Sequence, residues 1–405
     1  MRSWNRPKVP QLPGHGEVPR IFDTASGRIA EAKPDGVASI YVCGITPYDS
    51  THIGHAATYL TYDTLIRLWL DAGYDVNYVQ NTTDVDDPLL ERAHATGVDW
   101  RQLASDQTER FRRDMESLAV IPPDHYIAVT EKMFAISGAV ASLVERDIAY
   151  RVDDDIYFDI AAAEAVAPWH LGDESHYDRQ TMLELSGARG GDPDRSGKRD
   201  PLDPLLWRAA REGEPNWASV LGRGRPGWHI ECSVIAAEYL DLPLTVKGGG
   251  SDLIFPHHEF SAGHTAAITA TPLAALYSHA GLVAYRGTKM SKSLGNLVLV
   301  GSLTESGVDP RAIRLVLLGQ RYRENWEWTE ALLASATGRL EAWDAWAFDA
   351  VAGDSSVLPR LRVLLAQDLD TPAGLAEIDS VIESGIPATT GNLDAIEALL
   401  GLRLG

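Results

Sequence analysis

Cysteine is nearly missing from this 405-residue chain, which has two, Cys43 and Cys232. A fold stapled by several disulfides is excluded, and in a reducing compartment a bond between the two is not expected. The opening Met1-Arg-Ser-Trp-Asn-Arg-Pro7 has no apolar core, so no signal peptide is read there. No apolar run approaches the length of a membrane span. Excess positive charge is missing too: the formal net charge is −21, so no global basic field gathers a polyanion, although a local stripe could still bind one. Neither an internal repeat nor a long low-complexity segment is found, which excludes solenoids. These absences lead to the expectation of a cytoplasmic monomer with no membrane partner.

What is there belongs to a globular protein: 45% hydrophobic and 23% charged residues, in a chain long enough for two or three domains. Residues 1–36, rich in Pro and Gly, read as a surface arm. Ser39 to Cys43 reads as a short apolar strand ending at Gly44. His55 to Asp71 has helical spacing, with Gly73 as its stop, and Asp75 to Thr82 is β-prone. Helices are expected over Asp99–Leu118 and Glu131–Asp147. This alternation predicts an α/β fold with a doubly wound parallel sheet. Residues 37–150 form the first half of that core and 151–205 an inserted edge module that opens with a hairpin at Tyr150 to Phe158. Residues 206–300 are the second half, with a helix after Cys232 and strands at Leu244–Lys247 and Leu276–His279. Residues 301–405 are expected to be a helical domain, in which Asp309 caps one helix and Asn392 or Asp394 opens the last. Asp153-Asp-Asp155 reads as a solvated turn.

Three constellations carry chemistry. In Thr51-His-Ile-Gly-His55, His52 and His55 stand at the mouth of a helix, where ring donors and the helix terminus suit phosphate oxygens. Thr58 follows one turn on, on the same face. In Lys289-Met-Ser-Lys-Ser293, Lys289 and Lys292 are flexible point charges in a loop bracketed by Gly287 and Gly295. They suit a pyrophosphate whose charge grows as its bond to the α-phosphate breaks. Lysine is scarce in this chain, yet two fall within four residues here. The third constellation is Cys43, Cys232 and His257, the last in Pro256-His-His-Glu259. Two thiolates and an imidazole make a zinc site with three protein ligands, though isolated cysteines are also ordinary buried residues.

Longer runs join these: Tyr41-Val-Cys-Gly44, Gly224-Arg-Pro-Gly-Trp-His-Ile-Glu-Cys-Ser233, Gly248-Gly-Gly250 and Asp252-Leu-Ile-Phe-Pro-His-His-Glu259. Across Tyr41 to Asn296 the chain resembles the class I aminoacyl-tRNA synthetases, and within them the cysteinyl branch. The resemblance implies a Rossmann-like catalytic core, ATP as substrate with Mg2+, and one Zn2+ per chain held by Cys43, Cys232 and His257 to grip a substrate thiol. It also implies that Cys43, Gly44, Ile45, Thr46, Thr58, Asn81, Thr82, Thr83, Trp228, Gly250, Ser251, Asp252 and Val283 surround an aminoacyl adenylate, with His52, His55, Lys289 and Lys292 serving its formation. Asp252 would meet either the substrate ammonium or a ribose hydroxyl.

Departures from the cysteinyl pattern point to a branch. The synthetases resemble Phe-Pro-His-His-Glu-Asn-Glu, with the last Glu a fourth zinc ligand, where this chain has Ser261. Gly44-Ile-Thr-Pro-Tyr-Asp49 replaces Gly-Pro-Thr-Val-Tyr-Asp, and Lys247 replaces a His before the glycines. Ala188-Arg-Gly-Gly-Asp-Pro193 has no clear synthetase counterpart. In these features the chain is similar to the paralogous mycothiol-pathway ligases, which join L-cysteine to glucosaminyl-inositol; that family's segment begins with Glu where Ala188 stands. No anticodon-reading domain follows the helical one, so small-molecule partners and no tRNA are expected. The alternatives are a cysteinyl-tRNA synthetase with a shortened tail, or a non-catalytic paralogue that binds cysteine or nucleotide.

Overall fold

The computed structural model describes residues 1–49, 51–290 and 296–405, with Lys289 by its backbone alone. Its centre is a five-stranded, all-parallel sheet in the order β11 (Ala274–Ala280), β10 (Leu244–Gly250), β3 (Ala38–Val42), β4 (Val76–Thr82) and β5 (His125–Ala128). The first half runs β3 (Ala38–Val42), α1 (Ile53–Asp71), β4 (Val76–Thr82), α2 (Asp87–Thr96), α3 (Trp100–Ser117), β5 (His125–Ala128) and α4 (Met133–Glu145). The second half runs α7 (Trp228–Tyr239), β10 (Leu244–Gly250), α8 (Glu259–Thr269) and β11 (Ala274–Ala280). From β3 the chain winds outward through β4 to β5, and from β10 it winds the other way to β11. The order therefore reverses between β3 and β10, and in open sheets of this kind ligands sit at such a reversal, beyond the carboxyl ends of the strands.

The pleat decides which side chain meets which layer. Ile40 and Val42 point into one apolar layer, shared with α1 and the C-terminal helices, while Tyr41 and Cys43 point into the other, shared with α7 and α8. On β10, Val246 joins the first layer, so Lys247 faces the second, opposite Tyr41 in the register. One residue of slip in β3 would turn Cys43 away from α7 and α8.

Between the halves lies a four-stranded antiparallel sheet in the order of β6 (Ala149–Val152), β7 (Asp155–Phe158), β8 (Leu205–Ala209) and β9 (Gly224–Pro226). The short helix α5 (Ile160–Glu164) and α6 (Arg179–Ala188) interrupt it. The expected solvated turn holds for Asp153 and Asp154, which are exposed in the turn between β6 and β7, but not for Asp155, which is 1% exposed, with Arg195 at 2.5 Å and Arg211 at 2.8 Å from its carboxylate. A run of acids signals solvent only when no guanidinium arrives from elsewhere.

Before the core, β1 (Arg20–Asp23) and β2 (Arg28–Glu31) form a hairpin within the stretch read as a surface arm. Trp4 of that stretch is buried against Phe111 and Tyr126 and donates to the Val120 carbonyl at 2.8 Å. After the core come α9 (Val300–Glu305), α10 (Pro310–Leu318), α11 (Glu330–Phe348), α12 (Leu358–Leu365), α13 (Thr371–Glu383) and α14 (Thr390–Leu400). The helical expectation for 301–405 missed β14 (Trp326–Trp328), which completes a three-stranded sheet with β12 (Val283–Tyr285) and β13 (Thr288–Lys289); all three strands are too short for a readable period. Asp309 does cap α10. The last helix opens instead on Thr389, whose hydroxyl accepts from the Asn392 amide.

Candidate functional site

The helix-mouth motif is set by its own backbone. His52 is the N-cap of α1, and its Nδ1 accepts from the amides of Gly54 at 3.1 Å and His55 at 3.4 Å. Nδ1 is thereby an acceptor, so the ring proton resides on Nε2. The His55 ring stacks on that of His52 with centroids 3.8 Å apart. Both rings line a cleft of about 290 Å³, together with Thr46, Thr58, Gly250, Asp252 and Val283. Tyr48, Asp49, Gly54, Gly281, Leu282, Met290 and Leu297 complete its wall. Gly281, Leu282 and Leu297 carried no sequence signal, because a cleft wall built by chain reversal has no period.

Beneath the cleft, Gly44 brings two strand ends into contact: a Cβ there would lie 1.5 Å from the Asn81 carbonyl oxygen. The Gly44 amide donates to the Asn81 side chain at 2.9 Å, and Asn81 donates to Thr83 Oγ1 at 3.2 Å. The Ile45 carbonyl accepts from the Thr83 amide at 3.0 Å and from Thr82 Oγ1 at 3.3 Å. Gly44, Ile45, Asn81, Thr82 and Thr83 thus buttress the floor, and Ser251 follows Gly250 at the end of β10. Lys292 lies outside the described residues, and Lys289 is placed only by its backbone, opposite Ala284 in β13.

The three proposed metal ligands come together. Their ligand atoms on Cys43, Cys232 and His257 all lie within 4.8 Å of one another, and all three residues are buried. Cys232 lies one turn inside α7, rather than at its start. The two sulfurs are 3.9 Å apart, and His257 Nε2 is 3.2 Å from the Cys232 sulfur. Thiolates at about 2.3 Å from a tetrahedral zinc would be about 3.8 Å apart, so the donor set and spacing fit zinc. Trp228 stacks on His257 at 4.3 Å, and His229 approaches its other ring nitrogen at 3.2 Å. Ser261 is not among the ligands: its hydroxyl donates to the His257 carbonyl at 2.6 Å.

Two groups that sequence reasoning did not assign to the site press on the Cys43 sulfur. Lys247 Nζ is at 3.1 Å and His258 Nε2 at 3.3 Å. His258 Nδ1 lies 2.8 Å from His279 Nε2, whose Nδ1 lies 2.7 Å from Thr24 Oγ1. If each donates toward the sulfur, hydrogen bonds run one way from the Thr24 hydroxyl to Cys43. Burial pushes His258 down to about 4, so it is neutral near pH 7. Burial works to raise Cys43, but the Cys232 hydrogen bond and the Lys247 charge outweigh it and hold the thiol well below its usual range. Burial and then the neighbouring Cys43 push Cys232 well up. The doubled His in Pro256-His-His-Glu259 was the available signal for His258.

With this geometry in hand, known proteins separate the branches. The family described as tRNA synthetases class I (C) catalytic domain matches residues 29–338. A protein of Clavibacter michiganensis subsp. michiganensis named L-cysteine:1D-myo-inositol 2-amino-2-deoxy-alpha-D-glucopyranoside ligase is 60% identical, over 100% of this chain and 99% of its own. One of the same name from Nocardiopsis dassonvillei is 52% identical over 100% of both chains. The chain belongs to this ligase family. The chain carries a class I synthetase catalytic domain, and the fold agrees: a methionyl-tRNA synthetase of Mycobacterium tuberculosis, solved in complex with methionyl-adenylate, superposes with a TM-score of 0.63. That match has 15% identity and covers 90% of this chain and 88% of the other.

The segment that set the family apart in sequence is also placed. Arg189, at the end of α6, donates to the carbonyls of Asp252, at 2.5 Å, and Phe255. It ties the inserted module to the backbone just beyond β10, at the rim of the cleft. No described helix is long and apolar enough to cross a membrane.

Proposed function

We infer that this chain joins L-cysteine to the amine of 1D-myo-inositol 2-amino-2-deoxy-α-D-glucopyranoside at the cost of ATP, in mycothiol biosynthesis. A carboxylate oxygen of cysteine attacks the α-phosphorus of ATP, and the bond to the β-phosphate oxygen breaks, releasing pyrophosphate. The sugar amine then attacks the acyl carbon of the adenylate, AMP leaves with the bonding electron pair, and the amine gives up a proton as the amide forms. The adenylate already carries a good leaving group, so the protein's tasks are positioning and charge stabilisation.

The observation that carries this reading is the adjacency of two sites: the Cys43, Cys232 and His257 cluster ends the strand whose next residues, Gly44 to Thr46, run into the cleft lined by His52 and His55. His52, with its ring proton on Nε2, and His55 receive phosphate oxygens at the positive end of α1. Lys289 and Lys292 stabilise the departing pyrophosphate. Cys43, Cys232 and His257 would hold one zinc, which supplies a soft acceptor for the substrate sulfur that serine cannot match. Thr46, Thr83 and Trp228 offer donors to the amino-acid carboxylate, and Asp252 offers a carboxylate to the ammonium or a ribose hydroxyl. Incubation with ATP, L-cysteine and either the amino sugar or tRNA tests this reading by the mass of the product. A cysteinyl amide of the sugar is expected; cysteinyl-tRNA alone, or no cysteinyl product, would overturn it.

A further inference from the structure

Lys247 is 0% exposed, and a buried ammonium is costly unless something of opposite charge meets it. Among the described residues it makes no ion pair with a carboxylate. Its partners are the Cys43 sulfur, 3.1 Å from Nζ, and the face of Tyr41, with 3.9 Å to the ring centroid. Register explains the placement, since Lys247 lies opposite Tyr41 and both point into the layer that holds the metal ligands. An ammonium has three donors and no acceptor, so the sulfur accepts, and the form of sulfur that compensates an ammonium is the thiolate. The Tyr41 ring adds cation–π attraction on another side. A chain poor in lysine therefore places one where it senses a single atom.

We propose that Lys247 is the tuning partner of the metal centre: its ammonium donates to the Cys43 thiolate, draws charge from that sulfur, and so strengthens the bound ion's hold on the substrate thiolate. This rests on the thiol-binding reading of the site given above. Charge counting gives the reason. Zinc with two thiolates and a neutral imidazole sums to zero, and Lys247 makes the buried centre positive by one. A substrate thiolate brings the sum back to zero, whereas a neutral hydroxyl leaves the positive charge buried. Lys247 thus favours sulfur over oxygen through charge, in addition to the softness of the ion. His258 Nε2 also lies near the Cys43 sulfur, at 3.3 Å.

The test uses the full chain loaded with one Co2+ in place of zinc, in three forms: the parent, Lys247→Gln, which keeps a donor without charge, and Lys247→Met, which keeps the length alone. Metal content and circular dichroism identify folded, fully loaded samples. The readouts are the energy of the thiolate-to-cobalt charge-transfer band without substrate and the Kd for L-cysteine followed through that band. Lys247→Met moves the band to lower energy, because its thiolate loses a charged donor, and weakens cysteine binding by about tenfold or more, as for loss of a charge-assisted hydrogen bond. Lys247→Gln moves the band less but weakens cysteine binding comparably. A residue that merely fills space would leave the band in place. Loaded variants with the parent's band and the parent's cysteine affinity would overturn the proposal. A parent band that does not respond to cysteine would overturn the thiol-binding reading instead, while the substrate-free bands still report on Lys247.

Discussion

Ser261 lies one helical turn beyond His257, close enough to have been a ligand, yet its hydroxyl donates to the His257 carbonyl at 2.6 Å and lies 3.3 Å from that of His229. Cys232 differs in kind, because its sulfur faces both Cys43 and His257. The two residues therefore have opposite expectations. Cys232→Ala removes one of three ligands and loses zinc together with cysteine-dependent ATP–pyrophosphate exchange. Ser261→Ala keeps one zinc per chain, read by elemental analysis of the purified protein. Zinc lost from the serine variant, or retained at full occupancy by the cysteine variant, contradicts this ligand set. At this scale the sequence was informative wherever chemistry demands a rare residue: two cysteines in the whole chain leave few ways to build a thiolate site. It was silent on Lys247 and His258 as partners of Cys43, because their contact depends on which face of β10 and which turn before α8 they occupy.

The catalytic core and the C-terminal helices are joined by a buried charge cluster on α1. Asp63 takes Arg67 at 2.8 Å, Arg314 of α10, and the Ile121 amide at 2.8 Å. Arg67 also donates to the Glu397 and Ala398 carbonyls of α14, and Arg314 to those of Leu118 and Leu400. Every group in the cluster has a partner, so its removal strands charge. Asp63→Asn leaves two buried guanidiniums without their anion and is expected to destabilise the fold by about 3–5 kcal/mol in denaturant melts near pH 7. Burial opposes ionisation of Asp63, but Arg67 and Arg314 prevail and hold it below the usual carboxylate range. A depressed folded value means the contribution is present above the unfolded value of about 3.9 and is lost as pH falls further, through the folded one. The parent's advantage over the variant should thus be steady at neutral pH and shrink only in strong acid. Equal stability at neutral pH would show that the cluster does not hold these helices together. α1, β4 and α3 were readable nearly to their ends, α3 because it has one face in a core, α1 and β4 from helical spacing and β-prone residues although both are buried on more than one side. Such signals could not reveal β12–β14, too short for a period, nor the burial of Asp155, whose partners arrive from Arg195 and Arg211.

For the molecule as a whole, charge sets an expectation that no single residue carries. With a net charge of −21, the surface repels polyanions except at local basic spots. The cleft itself contains Asp49 and Asp252 beside its two histidines, and Arg189 at its rim is engaged with backbone carbonyls. An acceptor held through many phosphates would find little to grip, whereas a sugar–inositol with one amine needs only hydroxyl partners and a carboxylate or two. Salt separates these cases. Recognition through 6–10 phosphate contacts weakens by about 10³–10⁵ between 50 and 200 mM salt, while a neutral acceptor releases no counterions. The kcat/KM for the amino sugar, measured at saturating ATP and cysteine, should therefore change by no more than about twofold over that range. Added tRNA should leave the rate unaltered at low salt, where any electrostatic binding is strongest. Competitive inhibition by tRNA that fades as salt rises would show a phosphate-binding surface and return the acceptor to the nucleic acids.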